Sequence, residues 1–124
     1  MDLNNRHCVP CEGGTPALTA EEIDTYLVQT PEWEIIDDEN GKIGRVFKFK
    51  DFSHTMKFVD AVAALAEEED HHPEMHVSYS KVIVELSTHA IGGLSENDFI
   101  LAAKIDRLPE STGREVKNEP YLEG

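Results

Sequence analysis

Residues 51 to 73 constrain the fold more than any other stretch of the chain. Met56, Val59, Ala63 and Ala66 recur at helical spacing, and Phe58, Val62 and Leu65 widen the stripe. That is the pattern of an amphipathic helix with one side to bury. Ser53 stands where an N-cap is expected, since a side-chain oxygen there accepts from an otherwise unpaired amide of the first turn. The helix runs into Glu67-Glu68-Glu69-Asp70 and must stop before His71-His72-Pro73, because the residue preceding a proline is pushed out of the α region. One long core helix is predicted, with two adjacent histidines at its exit.

The flanking patterns complete the architecture. Thr19-Ala20-Glu21-Glu22 has capping-box spacing, and Ile23, Tyr26 and Leu27 form an apolar stripe, which predicts a short helix reaching about Thr30, before Pro31. Residues 33–37 and 43–49 flank Glu39-Asn40-Gly41 and read as a hairpin, because Asn-Gly tolerates the positive φ of tight turns. Residues 74–79 and 81–88 read as a second hairpin, with Val82, Val84 and Leu86 alternating against Ile83, Glu85 and Ser87. After Gly92-Gly93, Ser95 as N-cap, Asp98 at N3 and a Leu94 to Phe99 staple open a third helix reaching about Arg107. The predicted class is α+β: a single antiparallel four-stranded sheet with three helices packed on one face, in the order α-β-β-α-β-β-α. Apolar residues such as Ile83 on the other face predict a homo-oligomer, a dimer or tetramer.

A chain of 124 residues is the size of one domain with one core. Residues 1–17 read as a flexible lead-in, 18–107 as the folded domain and 108–124 as a polar tail broken by Pro109, Gly113 and Pro120. No apolar run approaches the length of a membrane span, and the amino terminus lacks a secretory pattern, so a cytoplasmic protein without membrane contact is expected. A formal net charge of -14 repels phosphate backbones and argues against direct nucleic-acid binding. Cys8 and Cys11 are too close to staple a fold and are read as thiols. A small molecule or another protein is the expected partner.

Histidine is the side chain whose ordinary pKa lies nearest neutrality, so imidazoles at an element boundary are candidates for proton transfer in both directions. A histidine pair alone also occurs in surface loops by chance. The whole pattern carries more. His71-His72-Pro73-Glu74, the aromatic Tyr79, Ser87-Thr88-His89, Gly92-Gly93-Leu94-Ser95 and Asp98 stand in this order, with Trp33, residues 47–52 and the Cys8-Val9-Pro10-Cys11-Glu12-Gly13-Gly14 lead-in upstream. This composite resembles the pterin-4a-carbinolamine dehydratase family over most of the chain before the tail. Met75 departs from the tryptophan found in many members, a change that predicts altered packing of the pocket.

The resemblance implies a lyase that removes water from a 4a-hydroxytetrahydropterin to give a quinonoid dihydropterin, the step that recycles the pterin cofactor of aromatic amino-acid hydroxylation. It implies a small pterin substrate and no bound cofactor or metal. The implied catalytic residues are His71, His72 and His89, with His71 and His89 sharing acid and base roles and His72 orienting the ligand. Asp70, Ser87 and Thr88 join the three histidines as implied substrate-binding residues. Glu67 is a candidate to orient an imidazole from one turn earlier. Asp98 has two readings, an orienting carboxylate or a plain N3 cap. His54 and His76 have no partner by spacing.

Two rival readings stand beside this one. Some members of the family also serve as dimerisation cofactors of a transcription factor, so a non-catalytic protein-binding module is an alternative. Cys8-x-x-Cys11 with His71 and His72 offers four ligands, of two types suited to zinc, a looser pattern.

Overall fold

The computed structural model describes residues 3–9, 16–36 and 41–108. It contains α1 (Ala20–Leu27), β1 (Glu34–Ile35), β2 (Ile43–Lys48), α2 (Phe52–Glu69), β3 (Glu74–Val77), β4 (Lys81–Leu86) and α3 (Glu96–Asp106). The strands form one antiparallel sheet in the order β1-β2-β4-β3. This is the predicted α+β architecture with the predicted order of elements. The turn at Glu39 and Asn40, Cys11 and most of the predicted tail lie outside the described residues.

Cross-strand register decides which side of the sheet is covered, because directly opposed residues share a face. Phe47 opposes Val82, which opposes Val77, and Arg45, Val84 and Met75 form the next rung. Ile43, Phe47, Val82, Val84 and Leu86 all belong to the buried core shared with Phe58, Val62 and α3. Val46, Ile83 and His76 occupy the opposite face. Rings fill the middle of the core: Phe58 lies 4.6 Å from Phe47 and 5.1 Å from Phe49 between centroids.

The long helix begins earlier than expected. Asp51, not Ser53, is the N-cap, and its carboxylate accepts from the His54 amide at 2.9 Å; Asp and Ser are comparable caps, and Asp51 has the extended backbone the position needs. The stripe is also rotated. Its buried centre is Thr55, Phe58, Val62, Ala66 and Glu69, whereas Ala63 is exposed. Two polar residues sit on the buried side because both are bonded: the Thr55 hydroxyl donates to the carbonyls of Asp51 and Tyr79, and Glu69 accepts from the Cys8 amide. Hydrophobicity alone could not register either.

Elements also end sooner than the periodicity suggests. α1 stops at Leu27, and the amides of Gln29 and Thr30 fold back onto the carbonyls of Tyr26 and Leu27. β4 stops at Leu86, after which Thr88 bridges to Gly93 around a single 3-10 turn, His89–Ile91. Gly92 has φ +66°, and a Cβ at Gly93 would lie 2.9 Å from the Cβ of Ala17, so both glycines answer a steric demand. At the far end of α3, Asp106 accepts from Trp33 Nε1 at 2.9 Å and from buried Arg45 at 2.6 Å, and the Arg45 guanidinium lies 4.5 Å over the Phe47 ring.

The exit of α2 orients the histidine pair. Asp70 caps the helix in the left-handed conformation, φ 52° and ψ 41°, and the amides of Asp70 and His71 both return to the Ala66 carbonyl. A left-handed residue costs about 1–2 kcal/mol unless it is glycine, and Asp tolerates it better than branched residues do. Asp70→Gly is expected to leave the urea-unfolding midpoint unchanged or raise it. Asp70→Val should lower stability by about 1–2 kcal/mol.

Candidate active site

Three element ends converge on one side of the domain: the exit of α2, the segment following β4, and the start of α3. They enclose an open hollow of about 300 Å³, lined by Val9, Asp70, His71, His72, Ser87, Thr88, His89, Ala90 and Asn97. That is the low end of the volume typical of small-molecule sites. Asp70, Ser87, Thr88 and the three histidines singled out from sequence all line it. A second hollow of about 240 Å³ shares His72, Ser87 and His89 and adds Lys42, Pro73, Glu74 and Glu85.

Glu67 and Asp98 are not among the lining residues, but each meets an imidazole. Asp98 is fully buried. Its Oδ1 lies 2.6 Å from His71 Nε2, while its Oδ2 accepts from the Thr88 hydroxyl at 2.8 Å and the Ser95 amide at 3.0 Å. The Thr88 and Ser95 hydroxyls meet at 2.7 Å. Asp98 thus both receives the amide of its helix's N-cap and lies against a ring nitrogen of His71. Thr88 is buried with its hydroxyl committed to this network. Glu67 Oε2 lies 2.5 Å from His72 Nε2, in a more exposed setting.

Val9, Ala90 and Asn97 also line the hollow and escaped the sequence reading. Asn97 carries no signal beyond its place in the first turn of a helix, and Val9 sits in a segment without a period. Met75, by contrast, packs partly buried against the core and is not among the lining residues.

The zinc reading gains nothing from this geometry. Cys8 Sγ lies 3.6 Å from the Asn97 carbonyl oxygen. Among the described residues, the His, Cys and carboxylate side chains close enough to share an ion are Glu74, His76 and Glu85, with His76 on the open sheet face. Burial pushes the Cys8 thiol up to about 12, with the carboxylates of Glu69 and Asp98 adding to the rise and Lys104 opposing it. Only the thiolate attacks an alkylating agent. Cys8 should therefore react with iodoacetamide at pH 8 roughly a thousandfold more slowly than a free cysteine, as read by peptide mass spectrometry that resolves it from Cys11.

The pterin 4 alpha carbinolamine dehydratase family model matches residues 16–108. Two relatives named after the pterin-4-alpha-carbinolamine dehydratases come from Nitrosomonas eutropha and Nitrosomonas europaea. The first is 53% identical over 86% of this chain and 93% of its own, and the second 52% identical over 89% and 96%. A crystal structure from Brucella melitensis, titled a transcriptional coactivator/pterin dehydratase, superposes with a TM-score of 0.69 at 36% identity, covering 78% of this chain and 98% of its own. A pterin dehydratase-like protein described as a RuBisCO assembly factor in the alpha-carboxysome gives a TM-score of 0.53 at 28% identity, covering 60% of this chain and 86% of its own. With the His71 to Asp98 pattern, these likenesses make the conclusion plain: the chain belongs to the pterin 4 alpha carbinolamine dehydratase family, a family of hydro-lyases.

Proposed function

We propose that this chain dehydrates a 4a-hydroxytetrahydropterin to a quinonoid dihydropterin, with His71 and His89 exchanging the protons and His72 orienting the ligand. The observation that carries the proposal is the pairing of His71 Nε2 with buried Asp98 at the wall of a hollow that His89 also lines. A carboxylate behind an imidazole fixes the ring's orientation and tautomer, so that the other nitrogen, here Nδ1, is the one that trades protons. In the reaction, one imidazole protonates the 4a-hydroxyl, the C4a–O bond breaks, and water leaves. A second group takes a ring N–H proton, whose electrons form the new C=N bond. The proton gained and the proton given leave the enzyme's proton count unchanged, exchange with solvent returns the two groups to their starting states, and no redox partner is required.

The test is a spectrophotometric assay on freshly generated 4a-hydroxytetrahydropterin, run against the uncatalysed dehydration. No acceleration would overturn the proposal. A second reading, a protein-binding module, draws support from the coactivator and assembly-factor titles of the two solved relatives. A well-folded chain with no turnover would favour it.

Self-association belongs to the same proposal. Ile83 is half-buried and Val46 buried on the sheet face opposite the helices, and Phe52, Val77 and Tyr79 are exposed. A dimeric or tetrameric mass is expected by light scattering at micromolar concentration, and a monomeric mass would count against it.

A further inference from the structure

We propose that the arm of residues 3–9 holds Val9 in the wall of the pterin-binding hollow, so that substrate affinity depends on how firmly this arm is docked; the inference rests on the dehydratase reading above. The arm lies outside the span matched by the family model, which begins at residue 16. It is nonetheless anchored along its length. Leu3 is buried in the core, 1% exposed, and its amide donates to Gln29 Oε1 at 2.9 Å. Arg6 pairs with Glu96. The Cys8 amide donates to Glu69 Oε1 at 2.8 Å, and His7 Nδ1 lies 3.0 Å from the other oxygen of that carboxylate. Asn97 then grips both backbone groups of Val9, accepting from its amide at 3.0 Å and donating to its carbonyl at 2.5 Å.

The anchoring points matter as much as their number. Glu69 lies two residues before His71, and Asn97 is the immediate neighbour of Asp98, so the arm ties together the two segments that supply the His71 to Asp98 pair. Its tip reaches the hollow, where, among the described residues, Val9 and Ala90 are the apolar side chains in a lining otherwise made of polar groups and imidazoles. A 4a-hydroxytetrahydropterin joins a polar edge of amide and guanidine-like groups, which calls for hydrogen-bonding partners, to a ring with saturated carbons, which calls for apolar cover. Val9 is 63% exposed although a two-point hydrogen bond holds its backbone, which is the condition of an apolar surface kept ready for a ligand.

The experiment uses the full chain in two altered forms and two readouts: steady-state kinetics on the carbinolamine and alkylation of Cys8. Leu3→Ala with Arg6→Ala loosens the arm at the end away from the hollow. Val9→Ser leaves the anchors intact and removes the apolar surface. The double variant is expected to raise Cys8 alkylation at least tenfold and KM roughly five- to twentyfold, with kcat within about threefold. Val9→Ser should leave alkylation slow and raise KM severalfold. Faster alkylation with KM unchanged would overturn the inference. So would alkylation as slow as in the parent, since the anchors would then not hold the arm, or a fall in kcat at constant KM. Absence of turnover in the unaltered chain is a separate result, which removes the dehydratase reading itself.

Discussion

Asp98→Asn is expected to lower kcat for carbinolamine dehydration by a hundredfold or more while the protein stays folded. The loss turns on which atoms an asparagine can still satisfy. Oδ2 of Asp98 accepts from the Ser95 amide and the Thr88 hydroxyl, and the Ser95 amide can only donate. The amide oxygen of an asparagine must therefore take that position, which turns its NH₂ toward His71 Nε2, the atom that Oδ1 faces at 2.6 Å. His71 then has to accept at Nε2 and carry its proton on Nδ1, the opposite of the arrangement a carboxylate supports. Such a wrong tautomer disables an imidazole without disturbing its position, as in carboxylate-to-amide changes of serine-hydrolase triads. His71→Ala removes the group outright and should cost roughly 10²- to 10⁴-fold in kcat/KM, the usual range for one acid or base. His89→Ala should fall in the same range. The measurement pairs kinetics with nitrogen chemical shifts of the His71 ring and a urea-unfolding midpoint. If Asp98→Asn and His71→Ala both fold and turn over at the parent rate, His71 is not a proton-transfer group.

The same residues show what was legible in the sequence. The helix-to-strand junction at His71 was readable because Pro73 forbids continuation, and α3 was readable because Ser95 and Asp98 stand at capping distance. The sheet followed from strict alternation in β4, where Val82, Val84 and Leu86 are buried in turn. Features that depend on long-range polar partners were not readable. Nothing local signals that Thr55 and Glu69 lie on the buried side of α2, or that Arg45 in mid-strand pairs with Asp106 at a distance of 61 residues. Asn97 and Val9 are 88 residues apart, and neither has a periodicity that marks it. The three histidines came from a composite motif, and the contacts behind them required coordinates: Asp98 behind His71, and Thr88 and Ser95 behind Asp98.

Phe58→Ala is the substitution expected to cost most in stability, about 3–5 kcal/mol, a large share of the 5–15 kcal/mol that holds a domain of this kind together. Phe58 is fully buried and lies between the rings of Phe47 and Phe49, while Phe47 in turn meets Trp33 edge-on at 6.3 Å. Removing it opens a void bounded by rings on β2 and by the residue just beyond, which a six-residue strand paired on both sides cannot readily close. The cost follows the residual cavity as well as the lost apolar surface. Phe58→Leu, which refills part of the space, should lose far less. Ala63 supplies the control, because hydrophobic periodicity assigns it to the buried stripe whereas the folded helix exposes it; Ala63→Gln should change stability by no more than about 0.5 kcal/mol. Urea unfolding of the three variants measures the rotation of α2 about its axis. That rotation has a functional consequence: the side that buries Phe58 also buries Ala66 and Glu69, whose carbonyl and carboxylate hold the His71 amide and the Cys8 amide. A helix seated in the other register would carry the histidine pair away from Asp98, so a costly Ala63→Gln together with a neutral Phe58→Ala would undo both the packing and the site built on it.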